Sequence, residues 1–321
     1  MNRKTKILIV RFSSIGDIIL TSPVIRCIKL QHKNVELHYL TKYKYKDILF
    51  QNPYLDSCHY YNNNFSELIK NLKQEKYDVV IDLHNNMRSK ILRLALATKN
   101  YVYNKENLKK FLLINFGLNF SKLHTVDRYF LPLKNLQIKN DNNGLDIFIN
   151  DNYNVNFNTS KKYISWCIGG SYENKKLSDK QIVYVCDKLD LPIVFIGGLQ
   201  ESDLAEKIIT KSSNNKLYNF CGKINFLESS FLVKKSNLLL TNDTSILHVG
   251  SAFKLPTISF WGCTKPELGF RSYLNPSSYH ICSENTRPCS KHGKSCKLLA
   301  NGCVKTIKPE IIYKKVKEIE F

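Results

Sequence analysis

The feature that most constrains the fold is the alternation, from end to end, of short β-branched apolar runs with segments of helical periodicity. Continuous runs such as ILIV, DVVIDL, PIVFIGG and NLLLTND are typical of parallel strands covered on both faces. Because strands alternate with helices, the pattern predicts a doubly wound α/β protein with right-handed crossovers. Strands are predicted at 6–12, 35–41, 78–84, 163–170, 192–198, 238–243 and 256–262. Helices are predicted at 66–74, 88–97, 178–190, 202–211, 226–235 and 308–321.

The length of 321 residues is more than one core usually holds and suits two domains. Residues 139–162 are dense in Asn and Asp, a composition that favours turns and weak burial. We therefore expect an N-terminal domain over residues 1–150 and a C-terminal domain over residues 151–321 that ends in a helix.

Charge is strongly one-sided, with 48 Lys and Arg against 27 Asp and Glu and a formal net charge of +21. Such an excess attracts anionic lipids or phosphorylated substrates, although dispersed lysines also serve as solvated surface. Nucleic acid is not an expected partner, because paired Cys/His finger spacing and RNP-type strands are absent. The sequence has no apolar stretch of ~18–20 residues, and it starts like a strand and not like a secretion signal. We expect a cytoplasmic protein.

The first chemical motif is KILIVRF-SSIGD, a strand followed by a tight polar turn. Gly16 permits the turn, and the carboxyl end of a first strand is where doubly wound sheets bind ligands. The carboxylate of Asp17 either faces that ligand or caps the following helix, and the residues alone leave both roles open. A GxGxxG fingerprint is missing, which argues against a dehydrogenase.

The second motif is NLLLTNDTSILHVGSA, residues 237–252, in which a buried strand ends in polar groups and a helix follows. Amides at a helix N-terminus together with hydroxyl groups suit a diphosphate. The alternative is a capped helix with a core histidine. The polar side chains are Asp243, Thr244, Ser245 and His248.

Two further strand ends carry Gly-Gly pairs. In IGGLQES, Glu201 stands at the start of a helix, where a carboxylate can accept hydrogen bonds from a ribose or merely compensate the helix dipole. In CIGGSYENKKLS, Lys175 and Lys176 can neutralise a leaving diphosphate or form a solvated pair.

Four of the ten cysteines, Cys282, Cys289, Cys296 and Cys303, are spaced seven residues apart in a loop-rich segment. Four thiols can bind zinc tetrahedrally, but the close CxxC pair of a zinc knuckle is absent. We expect no metal requirement, with zinc at these four thiols as the alternative.

Together these segments resemble glycosyltransferase family 9, the lipopolysaccharide heptosyltransferases. RFSSIGDIILTSPVIRCIK resembles that family's first strand and catalytic turn, and VVIDLHNNMRS resembles its third-strand segment. TNDTSILHVGSAFKLPTISFWGCTKP is similar to its donor-site signature. The similarity runs from about residue 5 to residue 305, in the expected order.

The resemblance implies a GT-B fold, in which two Rossmann-like domains face each other across a deep cleft, the first for the acceptor and the second for the nucleotide sugar. It implies inverting transfer of heptose from ADP-heptose to a lipopolysaccharide core or related surface glycan, without a required cofactor. The acceptor would be a phosphorylated, lipid-linked glycan at the inner face of the cytoplasmic membrane. The alternatives are a different nucleotide sugar, or a non-catalytic protein that binds polyanions or nucleotides.

By this resemblance Asp17 is the general base. Ser13 and Ser14 of the same turn and Arg88 are candidate contacts to the acceptor, and for Arg88 the alternative is a surface salt bridge. A second set matches the donor-binding positions: Lys175 or its neighbour Lys176, Glu201, Asp243, Thr244, Ser245 and His248. The chain departs from the family at two of these motifs. Leu177 stands where the family has Trp, and Ser245 stands where it usually has Gly, which leaves the donor's identity open.

Overall fold

A computed structural model of the chain describes residues 3–120, 122–300 and 302–319. The chain forms two compact units. The first comprises residues 1–105 and 123–148, and the second comprises residues 106–122 and 149–321. The structure departs from the expected domains of 1–150 and 151–321, because residues 106–122 and residues 149–150 belong to the second unit.

The first unit is a parallel α/β sheet, with strand order β3-β2-β1-β4-β5 among the described residues. Its apolar runs are buried on both faces, with Leu8 and Val10 packing against Leu92. In chain order its elements are β1 (Thr5–Val10), α1 (Ile15–Ile19), α2 (Ser22–Gln31), β2 (Val35–Lys42), β3 (Ser57–Tyr61), α3 (Phe65–Gln74), β4 (Val79–Asp82), α4 (Met87–Leu96) and β5 (Lys99–Val102).

After β5 the chain enters the second unit for one helix, α5 (Asn107–Phe116), and then returns with α6 (Thr125–Phe130). Helix α5 is held in the second unit by a hydrogen bond from Arg287 Nη1 to the Asn115 carbonyl, 2.6 Å long. The Lys110 ammonium also lies 4.7 Å from the Phe270 ring centroid. Helical periodicity does not say which sheet a helix packs on, so this excursion could not be seen in the sequence.

The first part of the Asn- and Asp-rich segment, residues 141–146, is bonded to the first unit through a buried arginine on α2. Arg26 makes two 2.8 Å hydrogen bonds to the Asp141 carboxylate and a third contact to Asp146. It also donates to the Gly144 carbonyl over 3.0 Å. Residues 141–146 are therefore held by charge, although they form no helix or strand in the described structure.

The second unit is also a parallel α/β sheet, with order β11-β10-β9-β6-β7-β8 over the described residues. Trp166, Phe195 and Phe260 fill its core. Its further elements are β6 (Ile164–Cys167), α7 (Asp179–Lys188), β7 (Ile193–Ile196), α8 (Ser202–Lys211), β8 (Leu217–Asn219), α9 (Phe226–Lys235), β9 (Leu238–Asn242), α10 (Ser245–Ala252), β10 (Thr257–Trp261), β11 (Ser278–Cys282) and α11 (Pro309–Glu318). Residues 320 and 321 of the helix predicted at 308–321 lie outside the described residues.

The doubly wound α/β prediction is confirmed in both units. Because all pairings are parallel, the carboxyl ends of β1 and β4 meet at one edge of the first sheet. Those of β6, β7 and β9 meet at one edge of the second. Ligands of doubly wound folds bind at such edges. In the described part of the chain, every helix is too short or too polar to span a bilayer.

Candidate functional site

In the first unit, the turn between β1 and α1 brings an acidic and a basic side chain into direct contact. Asp17 stands in the first turn of α1, and its Oδ2 accepts hydrogen bonds from the Ser14 N–H (3.1 Å) and Ser14 Oγ (2.9 Å). The same oxygen lies 2.7 Å from Arg11 Nη2. Asp17 therefore both caps the start of α1 and pairs with the buried guanidinium of Arg11.

Arg11 was not identified from the sequence, although an arginine directly after a continuous apolar strand is the signal that pointed to it. It is buried, and it donates from Nε to the Ser13 carbonyl (2.7 Å) and from Nη1 to the Leu83 carbonyl (2.6 Å). These two bonds fix the guanidinium between the ends of β1 and β4. Its remaining nitrogen is thereby aimed at Asp17.

The surroundings keep Asp17 ionised. Burial acts to raise the pKa of its carboxyl, but the charge of Arg11 and the hydrogen bonds from Ser14 outweigh burial and lower that pKa. Nearby His84 is neutral at physiological pH, because burial and then the Arg11 charge lower its pKa to about 3. The Asp17 carboxylate is therefore charged at neutral pH, as a proton acceptor must be.

Arg88, the predicted acceptor contact, lies near the same sheet edge at the start of α4. Its guanidinium lies 4.9 Å from the Tyr61 ring centroid and 5.8 Å from that of Phe12. A half-buried arginine stacked on aromatic rings keeps the N–H edge of its planar guanidinium for an anion such as a phosphate. The surface salt bridge considered as the alternative is not the arrangement described here.

In the second unit, the end of β9 meets the loop after β6. Lys175 Nζ lies 2.6 Å from Asp243 Oδ2 and 3.3 Å from the Asp243 carbonyl. Thr264 Oγ1 donates to the same carboxylate over 2.8 Å. Lys175 is thus held at the strand end by Asp243, and Thr264 is a supporting residue that sequence reasoning missed.

The neighbouring lysine makes a second, deeper ion pair. Lys176 Nζ lies 2.8 Å from Glu201 Oε1 and 2.6 Å from Glu173 Oε1. Burial acts to lower the pKa of Lys176, but these two carboxylates outweigh burial and raise it. Glu201 also accepts the Gly198 N–H over 2.9 Å. The two lysines therefore pair with different carboxylates, Lys175 with Asp243 and Lys176 with Glu201 and Glu173, and neither forms part of a solvated pair.

Glycines at the ends of β6 and β7 let Glu201 approach the sheet edge. A Cβ at Gly169 would lie 3.3 Å from Glu201 Oε2, and one at Gly197 would lie 3.0 Å from its Cβ. Asn242 at the end of β9 donates to the Gly169 carbonyl over 2.9 Å. The ends of β6, β7 and β9 thus converge on one point.

Helix α10 begins beside this point. Thr244 precedes it, and within the described residues the Thr244 side chain makes no capping hydrogen bond to its first turn. The hydroxyl instead lies 3.2 Å from Thr241 Oγ1 and 3.8 Å from Cys167 Sγ. Ser245 is the first helical residue, and His248 is buried about one turn further along. The first-turn amides are therefore not taken up by the Thr244 side chain.

The predicted cysteine set is wrong in one member. Cys282 is exposed at the end of β11, whereas Cys263, just after β10, joins Cys289, Cys296 and Cys303. Equal spacing in the sequence was misleading, because the fold brings Cys263, two residues after the end of β10, beside the loop that carries the other three thiols.

Known proteins of one family match this chain over most of its length. The family model described as glycosyltransferase family 9 (heptosyltransferase) matches residues 65–300. Lipopolysaccharide heptosyltransferase 1 of Campylobacter coli is 26% identical, covering 98% of this chain and 98% of its own length. A family 9 glycosyl transferase structure from Veillonella parvula aligns with a TM-score of 0.83 at 20% identity, over 99% of this chain and 98% of that one. The structure of Escherichia coli heptosyltransferase WaaC with ADP aligns with a TM-score of 0.71 at 15% identity, over 98% of this chain and 99% of that one.

Proposed function

Since the chain belongs to glycosyltransferase family 9, we propose that it transfers heptose from ADP-heptose to a lipopolysaccharide core or related surface glycan, with inversion at the anomeric carbon. It is a GT-B glycosyltransferase that uses a nucleotide sugar. The observation that carries the proposed donor site is the convergence of Lys175, Asp243 and Glu201 at one edge of the second sheet. Carboxyl ends of parallel strands are the nucleotide-binding edge of such folds.

The donor diphosphate would lie at the N-terminus of α10. Helix amides, the hydroxyls of Thr244 and Ser245, and His248 supply hydrogen-bond donors there. Lys175 supplies positive charge, and its contact with Asp243 keeps the ammonium at the strand end before the donor arrives. These groups stabilise the charge that develops on the leaving diphosphate. Glu201 retains acceptor capacity for a ribose hydroxyl beside its bond to Lys176.

Asp17 would act as the base. As the acceptor oxygen attacks the anomeric carbon, its proton passes to the Asp17 carboxylate and the bond from carbon to the diphosphate oxygen breaks. One displacement inverts the configuration. Ser14 donates to the Asp17 carboxylate, and the Ser13 carbonyl accepts from Arg11. Both serines would contact the acceptor, and Arg88 would bind one of its phosphates through the guanidinium edge.

The first experiment measures ADP release from ADP-heptose with heptose-deficient lipopolysaccharide as acceptor. Asp17→Asn and Asp17→Ala should each reduce turnover by about 10²–10⁴-fold, the usual contribution of a general base. Asp151→Asn, which alters an exposed carboxylate paired with Lys234, is the matched control and should keep wild-type turnover. Near-normal turnover by both Asp17 variants would remove the base assignment. The same assay with other nucleotide sugars tests whether the donor differs from ADP-heptose, a question left open by Ser245 at a position where the family usually has Gly.

We further propose that the enzyme works at the inner face of the cytoplasmic membrane, where a lipid-linked acceptor lies. Helix α5 and the segment after it expose a row of large apolar side chains on a strongly basic protein: Leu108, Phe111, Phe116, Leu118 and Phe120. Apolar insertion combined with basic charge is how peripheral proteins bind anionic bilayers.

Co-sedimentation with vesicles tests this membrane contact. The wild type should bind phosphatidylglycerol vesicles and bind phosphatidylcholine vesicles far less. The double variant Phe111→Glu and Phe116→Glu should lose binding, because it places carboxylates in the apolar row. Leu199→Glu, at an exposed leucine elsewhere, is the control. Equal binding by all three proteins would contradict a contact through α5.

A further inference from the structure

Four cysteine thiols from two distant segments meet in the second unit. Cys263 follows β10, and Cys289, Cys296 and Cys303 come from the loop before α11. Their Sγ atoms all lie within 4.8 Å of one another. Cys263, Cys289 and Cys303 are buried and Cys296 is half-buried, so the cluster is largely shielded from solvent.

The spacing of the sulfurs is that of a metal centre. Bonds of about 2.3 Å from one ion in tetrahedral geometry place sulfurs about 3.8 Å apart. The Sγ atoms of Cys289 and Cys296 are 3.7 Å apart, and those of Cys296 and Cys303 are 3.1 Å apart. A disulfide would bring two sulfurs to about 2.05 Å. Within the described chain all four are free thiols.

The surroundings suit sulfur bound as thiolate. The Leu299 N–H donates to Cys296 Sγ over 3.3 Å. The loop 287–305 carries five basic side chains and no acidic one, which suits the net charge of −2 on a divalent ion with four thiolates: Arg287, Lys291, Lys294, Lys297 and Lys305.

We propose that Cys263, Cys289, Cys296 and Cys303 bind a single zinc or iron ion, and that this ion fixes the loop against which the donor-side Lys175 packs. Four thiolates in a tetrahedron select these ions over magnesium or calcium, which prefer oxygen ligands. Binding of a divalent ion replaces the four thiol protons, which are released to solvent. The ion is structural, because four protein ligands leave no open position.

The cluster is connected to the donor-side ion pair by direct packing. A Cβ at Gly293 would lie 2.8 Å from Lys175 Cε, and one at Gly302 would lie 2.9 Å from Asn174 Cα. Asn174 Nδ2 also donates to the Lys294 carbonyl over 3.1 Å. On the other side, Cys263 directly precedes Thr264, which bonds to Asp243. The four thiols thus tie together the two segments that flank Lys175 and Asp243.

Metal analysis of the purified full chain tests the site without reference to activity. Inductively coupled plasma mass spectrometry should find one equivalent of zinc or iron per chain, and the element found distinguishes the two. Cobalt exchanged into the wild type should give thiolate-to-cobalt charge-transfer bands and tetrahedral visible bands. Cys296→Ser should lose the metal, whereas Cys282→Ser, outside the cluster, should keep it. A metal-free wild type without a cobalt spectrum, or mass spectrometry showing paired disulfides, would overturn the site.

The positioning of Lys175 rests on the proposed donor site and has its own test. Gly293→Ala keeps all four thiols but crowds Lys175, while Gly144→Ala imposes the same left-handed backbone strain with nothing within 4 Å. Calorimetry should show ADP binding weakened about threefold to tenfold in Gly293→Ala only, with metal retained in both variants. Unchanged ADP affinity in Gly293→Ala would overturn the positioning role and leave the metal site standing. Failure of the wild type to bind ADP would instead refute the donor proposal.

Discussion

Replacing Arg11 with Gln should raise the pKa of Asp17, because the buried guanidinium is the principal group that keeps this carboxyl ionised. In the wild type, Arg11 Nη2 lies 2.7 Å from Asp17 Oδ2, and the Asp17 side chain is only 25% exposed. Burial already acts to raise its pKa. Removal of the cation therefore leaves burial opposed only by the hydrogen bonds from Ser14.

The size of the effect follows from the geometry. Two unit charges about 4 Å apart attract by about 4 kcal/mol at an effective dielectric constant of about 20. Partial exposure of Asp17 reduces this, and an adjacent arginine typically lowers an aspartate pKa by about 1–3 units, or ~1.4–4 kcal/mol. We therefore expect the Asp17 pKa to rise by about 1–3 units in Arg11→Gln.

The assay is the pH dependence of kcat/KM for transfer from ADP-heptose. A base acts when it is deprotonated, so the acid limb of the profile should move upward by about one to three pH units in Arg11→Gln. Arg11→Lys keeps a charge and should shift less. Arg11 also donates hydrogen bonds to two backbone carbonyls, and its replacement removes them. Circular dichroism of each variant therefore checks that the fold is retained. An Arg11→Gln acid limb that coincides with the wild type would refute the assignment of Asp17 as the titrating base.

Two further predictions concern buried ion pairs. Arg26→Met should lower the free energy of unfolding of the first unit by about 3 kcal/mol, since Asp141 loses its partner. Urea unfolding measures this, and an unchanged midpoint would contradict it. The Arg26 hydrogen bonds chiefly lower the pKa of Asp141 to about 2, so this stabilisation is complete above about pH 4 and is lost as the pH falls towards 2. Lys176→Met should lower the free energy of unfolding by a similar ~3 kcal/mol, because it leaves the buried Glu201 carboxylate without its partner. Adding Glu201→Gln removes that unpaired charge and should restore part of the lost stability. A double variant no more stable than Lys176→Met would argue against the Lys176–Glu201 pair.

Much of the fold could be predicted, because buried parallel strands leave long apolar runs in the sequence. All seven predicted strands are present, and the helices at 202–211 and 226–235 have the predicted bounds. The strands that were missed, β3, β5, β8 and β11, are short or half-exposed, and all four lie at sheet edges. An edge strand is covered on fewer sides, so its sequence carries a weaker apolar signal.

The resemblance to glycosyltransferase family 9 is confirmed, whereas the roles of individual site residues stay predictions. Sequence motifs named the residues at the strand ends but not their partners. Arg11 and Thr264 were missed because a buried partner is defined by three-dimensional proximity and not by spacing. Cys263 was missed for the same reason, since 26 residues separate it from Cys289.

The most direct test of the donor site is calorimetric titration of ADP into the wild type, Lys175→Met and Lys216→Met. Lys175 lies at the proposed diphosphate position, whereas Lys216 pairs with Asp190 on an exposed surface and serves as the control. The account predicts that Lys175→Met raises the Kd for ADP by about tenfold, equivalent to ~1.4 kcal/mol, while Lys216→Met leaves it unchanged. Wild-type affinity in Lys175→Met, or an equal loss in both variants, would contradict it.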